Sequence, residues 1–130
     1  MQENCIPKVL KGFNVLAIAP TGSGKTLAFA LPMVQEWSKD PYGIFGVVLS
    51  PTRELAIQIK EQFEIIGGRN IKVALIIGGV DFQTQALELQ KKPHFVVATP
   101  GRYVRFFKIL TELKIVWNVE WLKLVRFLIN

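Results

Sequence analysis

Four short, nearly unbroken apolar runs recur along this chain, at residues 15–19, 44–49, 71–77 and 95–98, and they constrain its fold more than any other feature. Each has the length of a strand and is rich in β-branched side chains. Their lack of polar alternation suits strands buried on both faces, as in a parallel sheet. Each run is followed by a break rich in Pro, Gly or Thr, and each break by a helix-like stretch, at residues 27–37, 53–66, 82–92 and 103–113. The second of these is the clearest helix. Leu55, Ala56, Ile59, Phe63 and Ile66 form one apolar stripe, and Gly67-Gly68 ends it. Pro32 marks a kink or the start of a turn in the first. Strand–helix alternation of this kind predicts a doubly wound α/β fold, a parallel sheet flanked by helices. Ligands bind such sheets beyond the carboxyl ends of the strands. The four breaks, at residues 20–26, 50–53, 78–81 and 99–102, are therefore predicted to open on one edge and to carry the chemistry.

Composition narrows what that edge can do. At 130 residues the chain is large enough for one core and one domain, not two. A single cysteine, Cys5, excludes a disulfide framework and a multi-cysteine zinc site, and fits a reducing compartment. A single histidine, His94, excludes a histidine metal cluster. Of ten acids only Asp40 and Asp81 are aspartates, so chemistry that needs an aspartate must use one of them. Sixteen Lys and Arg give a net charge of +6, and all of the excess lies in residues 66–130, which hold ten bases and four acids. That excess points toward a polyanionic partner. The apolar run before Pro20 lacks a basic leader and is too short to span a membrane, so a soluble intracellular protein without membrane contact is predicted.

The first break carries the sharpest motif, Ala19-Pro20-Thr21-Gly22-Ser23-Gly24-Lys25-Thr26. Glycines at 22 and 24 permit positive φ and let backbone N–H groups turn inward around phosphate oxygens. A helix starting near Lys25 adds the positive end of its dipole. Lys25 would reach the β- and γ-phosphates, and the Thr26 hydroxyl would bind Mg²⁺. Ala19 stands where the strict form of the motif has its first glycine. The plainer alternative is an ordinary Gly-rich strand-to-helix turn.

This variant resembles the phosphate loop of DEAD-box RNA helicases of superfamily 2. Further motifs match that family in order: Gln2 with Ile6-Pro7, then Pro51-Thr52-Arg53-Glu54-Leu55-Ala56, then Gly78-Gly79, then Thr99-Pro100-Gly101-Arg102. The resemblance implies a P-loop NTPase domain of the RecA-like class, with ATP and Mg²⁺ as cofactors. Nucleotide would be held by Gln2, Thr21, Gly22, Ser23, Gly24, Lys25 and Thr26. Gln2 would read adenine through its side-chain amide, the alternative being a solvated residue at a chain terminus. Single-stranded RNA would be held by its backbone at Pro51, Thr52, Arg53, Gly78, Gly79, Thr99, Pro100, Gly101 and Arg102. Glu54 would orient neighbouring loops, while Leu55 and Ala56 read as core. Tight turns and solvated surface ion pairs are the alternatives for these glycines and arginines.

Residues 40–45 and 85–94 further resemble a eukaryotic subfamily linked to small-ribosomal-subunit biogenesis in the nucleolus. That resemblance implies rRNA processing, a nucleolar location and ribosome-assembly partners. Hydrolysis on a phosphate loop also needs an aspartate at the end of an apolar strand, and neither Asp40 nor Asp81 follows such a run directly. Residues 124–130 resemble the strand that leads into the family's Asp-Glu-Ala-Asp tetrad, and the chain ends where the tetrad should begin. Residues 1–130 are therefore expected to be an incomplete N-terminal RecA-like ATP-binding domain, separated from a second RecA-like domain and inactive alone. A short non-catalytic protein that binds nucleotide or RNA is the competing reading. Phe106, Phe107, Trp117, Trp121 and Phe127 have apolar neighbours and are read as core, and Cys5 and His94 receive no functional role.

Overall fold

The computed structural model describes residues 1–41 and 43–112. In chain order its elements are α1 (Gln2–Leu10), α2 (Lys25–Lys39), β1 (Gly46–Leu49), α3 (Arg53–Gly67), a 3-10 turn (Gly68–Asn70), β2 (Val73–Ile76), α4 (Phe82–Gln90), β3 (Phe95–Ala98) and α5 (Pro100–Glu112). The three strands are parallel in the order β1-β3-β2. Phe95 of β3 stands opposite Gly46 on one side and Val73 on the other.

Alternation along β3 divides the core between the two faces of the sheet. Phe95 and Val97 pack with Phe29, Met33, Trp37, Ile59 and Phe63 from α2 and α3. Val96 and Ala98 pack with Ala74, Ile76, Leu89 and Phe106, which α4 and α5 complete. All four residues of β3 are buried, the burial expected of a run without polar alternation. Helix α3 is capped by Thr52, whose Oγ1 accepts from the Leu55 N–H at 3.3 Å. Beyond its last turn Gly68 takes φ +65°, a conformation that costs glycine little.

Three expectations are corrected. Residues 15–19 form no strand: they pair with no described strand, and Leu16 and Ile18 stay 68% and 80% exposed. Val15, Ala17 and Ala19 are half-buried between them, so the period of two persists without a ladder. Apolar alternation sets which face turns inward, whereas a strand needs a neighbour's backbone. Pro32 starts no turn; it is buried inside α2, a helix of 15 residues that continues past it. Phe106 is core at 1% exposed, but Phe107 is 48% exposed. Trp117, Trp121 and Phe127 lie outside the described residues, as does the expected strand at 124–130. Among the described residues no helix is long and apolar enough to cross a membrane.

His94 has a structural task at the start of β3. Its Nδ1 accepts from the Lys72 N–H at 3.0 Å, and its ring lies 4.7 Å from that of Trp37. Burial, and then the Lys72 ammonium, hold its pKa below the ordinary 6.5. The unfolded chain thus takes up the proton first, and stability contributed above pH 6.5 is lost as pH falls through the lower folded value. Wild-type melting temperature is expected to drop over that interval, and the drop should shrink in His94→Gln. Identical pH profiles would show that the lowered His94 titration contributes nothing to stability.

Candidate functional site

The phosphate loop keeps the form its sequence requires even without a preceding strand. Gly22 and Gly24 take φ +78° and +80°, and Gly24 is the N-cap of α2. No side-chain hydrogen bond caps that helix end, so backbone donors face outward there. Ser23 Oγ closes the loop by donating to the Pro20 carbonyl at 2.8 Å. Gln2, on α1, lies directly against it: a Cβ on Gly24 would sit 2.6 Å from Gln2 Nε2. Helix α1 therefore places Gln2 beside the phosphate loop, a position that motif order alone does not supply.

This cradle fits the phosphates of a nucleotide. Glycine backbone at positive φ, an uncapped helix start, Lys25 and Thr26 together supply donors and positive charge. A Mg²⁺ ion would find only part of its shell here. Among the described residues no group of three or more His, Cys, Asp or Glu side chains could hold a metal ion. Asp40 caps the far end of α2, about 20 Å along a helix of that length. Asp81 is committed elsewhere, capping α4 through bonds from the Thr84 N–H at 2.9 Å and the Thr84 hydroxyl at 3.0 Å. Those two bonds, the N–H first, hold its carboxyl below the ordinary 3.8. Thr26 would thus hold Mg²⁺ together with the nucleotide's own phosphate oxygens.

The other three breaks converge. Pro51, Thr52, Arg53, Gly78, Gly79, Thr99, Gly101 and Arg102 line one cavity of about 690 Å³, with Glu54 and Arg105 completing its wall. Pro100 starts α5 and does not line it. Convergence follows from parallel topology: β1, β2 and β3 end side by side, at Leu49, Ile76 and Ala98. Loop backbones are fixed from below. Ser50, fully buried, donates its N–H to the Ala98 carbonyl and its hydroxyl to the Thr52 carbonyl. The Thr99 N–H donates to the Ile76 carbonyl. Gln85, 2% exposed, donates from Nε2 to the Ile77 carbonyl at 2.8 Å, just before the glycine pair.

Arg53 rests on that glycine pair. A Cβ on Gly79 would lie 2.7 Å from its Nη1, and one on Gly78 3.2 Å from its Nη2. Around Gly101 a Cβ would meet nothing within 4 Å, which leaves room for close approach of another backbone. Among the described residues neither Arg53 nor Arg102 forms an ion pair. Eight of the nine residues expected to meet RNA share this cavity. The phosphate loop is outside its lining, so the predicted single edge is represented by three breaks rather than four.

Comparison with known proteins gives the fold and motifs a family. The DEAD/DEAH box helicase model matches residues 1–129. The chain belongs to this family. Among DEAD/DEAH relatives, the ATP-dependent RNA helicase DBP8 of Scheffersomyces stipitis is 62% identical over 103 residues, 78% of this chain and 23% of that protein. DBP8 of Eremothecium gossypii is 53% identical over 130 residues, 99% of this chain and 29% of that one. The chain thus spans between a fifth and a third of the length of these relatives. A hypothetical ATP-dependent RNA helicase from Sulfolobus tokodaii has the same fold, with a TM-score of 0.73, 37% identity and coverage of 83% of this chain and 31% of that one. The DEAD-box helicase Mss116, bound to ssRNA and UDP-BeF, gives a TM-score of 0.77 at 30% identity, covering 85% and 24%.

Proposed function

We propose that residues 1–130 are an incomplete N-terminal RecA-like ATP-binding domain of an ATP-dependent RNA helicase. The observation that carries this reading is the convergence of three strand-end loops on one cavity that presents Arg53 and Arg102. Glycines and backbone donors surround them, a chemistry suited to a phosphodiester chain and indifferent to base sequence. Thr21, Gly22, Ser23, Gly24, Lys25 and Thr26 would hold the ATP phosphates, with Mg²⁺ at Thr26. Gln2 would read adenine from beside the loop. Bound RNA would run along Pro51, Thr52, Arg53, Gly78, Gly79, Thr99, Pro100, Gly101 and Arg102. In the whole protein a second RecA-like domain would close on this one and separate short RNA duplexes. The resemblance of residues 40–45 and 85–94 supports rRNA processing in the nucleolus, beside ribosome-assembly proteins.

No Asp-Glu-Ala-Asp tetrad occurs in the 130 residues. The chain itself would therefore bind nucleotide without turning it over. Competition with a fluorescent ADP analogue tests the nucleotide site. ADP is expected to displace the analogue better than GDP, Lys25→Ala to weaken binding about tenfold or more, and ATP turnover to stay at background. Equal displacement by ADP and GDP would remove Gln2 from adenine reading. Turnover that disappears in Lys25→Ala would overturn the inactivity.

A further inference from the structure

The cavity holds a third guanidinium, Arg105, which belongs to none of the motifs. It follows Arg102 by three residues on α5, so both project from the same side of that helix. Its position is built. The Cζ of Arg105 lies 5.9 Å from the centroid of the Phe82 ring. Phe82 in turn stacks on Phe106, with centroids 4.2 Å apart and planes at 18°. Phe106 is buried at 1% exposed and anchors the stack in the core. A cation held against an aromatic face loses less freedom when it meets an anion than one swinging in solvent. Arg105 itself is exposed and, among the described residues, forms no ion pair. Three arginines and the single acid Glu54 are the charged groups of the cavity wall, which leaves it net positive.

We propose that Arg105, seated on Phe82, neutralises a further phosphate of bound single-stranded RNA and extends the path set by Arg53 and Arg102. The proposal rests on the RNA reading of the cavity. It adds a contact that lies outside the recognised motifs.

Salt titration of oligouridylate and oligoadenylate binding to the full chain tests it, with Arg105→Gln, Arg105→Lys and Arg53→Gln compared with wild type. Arg105→Gln is expected to weaken both RNAs equally, about tenfold, and to reduce the slope of log affinity against log salt by about 0.7. Arg105→Lys should restore most of the slope. A slope unchanged in Arg105→Gln but reduced in Arg53→Gln would overturn the Arg105 contact while leaving the RNA groove intact. A loss confined to one RNA would overturn the phosphate assignment. Absence of salt-dependent binding in wild type, with Arg53→Gln equally without effect, would overturn the RNA reading and this proposal with it.

Discussion

Phe95→Ala is expected to remove about 3–5 kcal/mol of stability, the range for losing a buried phenylalanine side chain. Phe95 is fully buried at the head of the central strand. Its ring lies 4.9 Å from that of Phe63, 5.9 Å from Phe45 and 6.3 Å from Trp37. Those partners come from α3, from the lead-in to β1 and from α2, so one truncation opens a gap shared by three segments. The backbone around the site is tied by ladders to both neighbouring strands and has little freedom to collapse into the gap. Domains of ordinary stability have about 5–15 kcal/mol in total, so the variant should be largely unfolded at modest urea. Ile65→Ala, at a position 73% exposed, is the contrast and should shift stability by less than about 0.5 kcal/mol. Urea unfolding followed by circular dichroism measures both. A Phe95→Ala loss below about 1 kcal/mol would mean that the aromatic cluster is not the centre of the core.

That same strand shows what the sequence could disclose. Residues 95–98 were expected as a strand and form one with unchanged bounds, because β3 has a neighbour on each side and helices on both faces. Toward the edges the agreement loosens. Phe45, Ile71 and Ile77 are buried like strand residues but lie outside the ladders, so burial alone overstates strand length. At residues 15–19 the same local pattern has no described partner and no strand results. Pairing is a property of two segments, and one segment's pattern cannot specify it.

Helix starts depended on proline and on remote contacts. Helix α5 begins at Pro100, where proline's missing N–H costs nothing, so Gly101 and Arg102 belong to its first turn. Helix α1 was not anticipated, since Pro7 lies inside its nine residues. In the cavity, motif glycines and arginines were legible from their types and order. Arg105 belongs to no motif, and the expected helix began only after Arg102; a charge on a helix is usually just solvated, and only the Phe82 stack sets it apart. Gln85 carried no signal of its structural role, because that role depends on burial and on the Ile77 carbonyl.

The combined change Arg53→Ala and Arg102→Ala is expected to produce the largest functional loss of any surface substitution in this chain. Each guanidinium would surrender a charge-assisted contact to phosphate, about tenfold in affinity apiece. The two sit on different helices of one cavity, so their losses should combine to roughly a hundredfold. The salt slope should fall by about 1.4, twice the value for one phosphate on a single strand. Folding should be nearly unchanged, because neither arginine joins an ion pair among the described residues. Lys60→Ala offers a matched control. It also removes a cation from α3, but that cation is already paired with Glu64 at 2.9 Å and lies outside the cavity wall. Its salt slope should match wild type. Anisotropy titrations with RNAs of different sequence distinguish two uses of the same arginines. Phosphate contacts predict a uniform loss, because every nucleotide carries the same backbone. Base contacts would concentrate the loss on particular sequences, and that pattern would exclude a backbone groove whatever the size of the total effect.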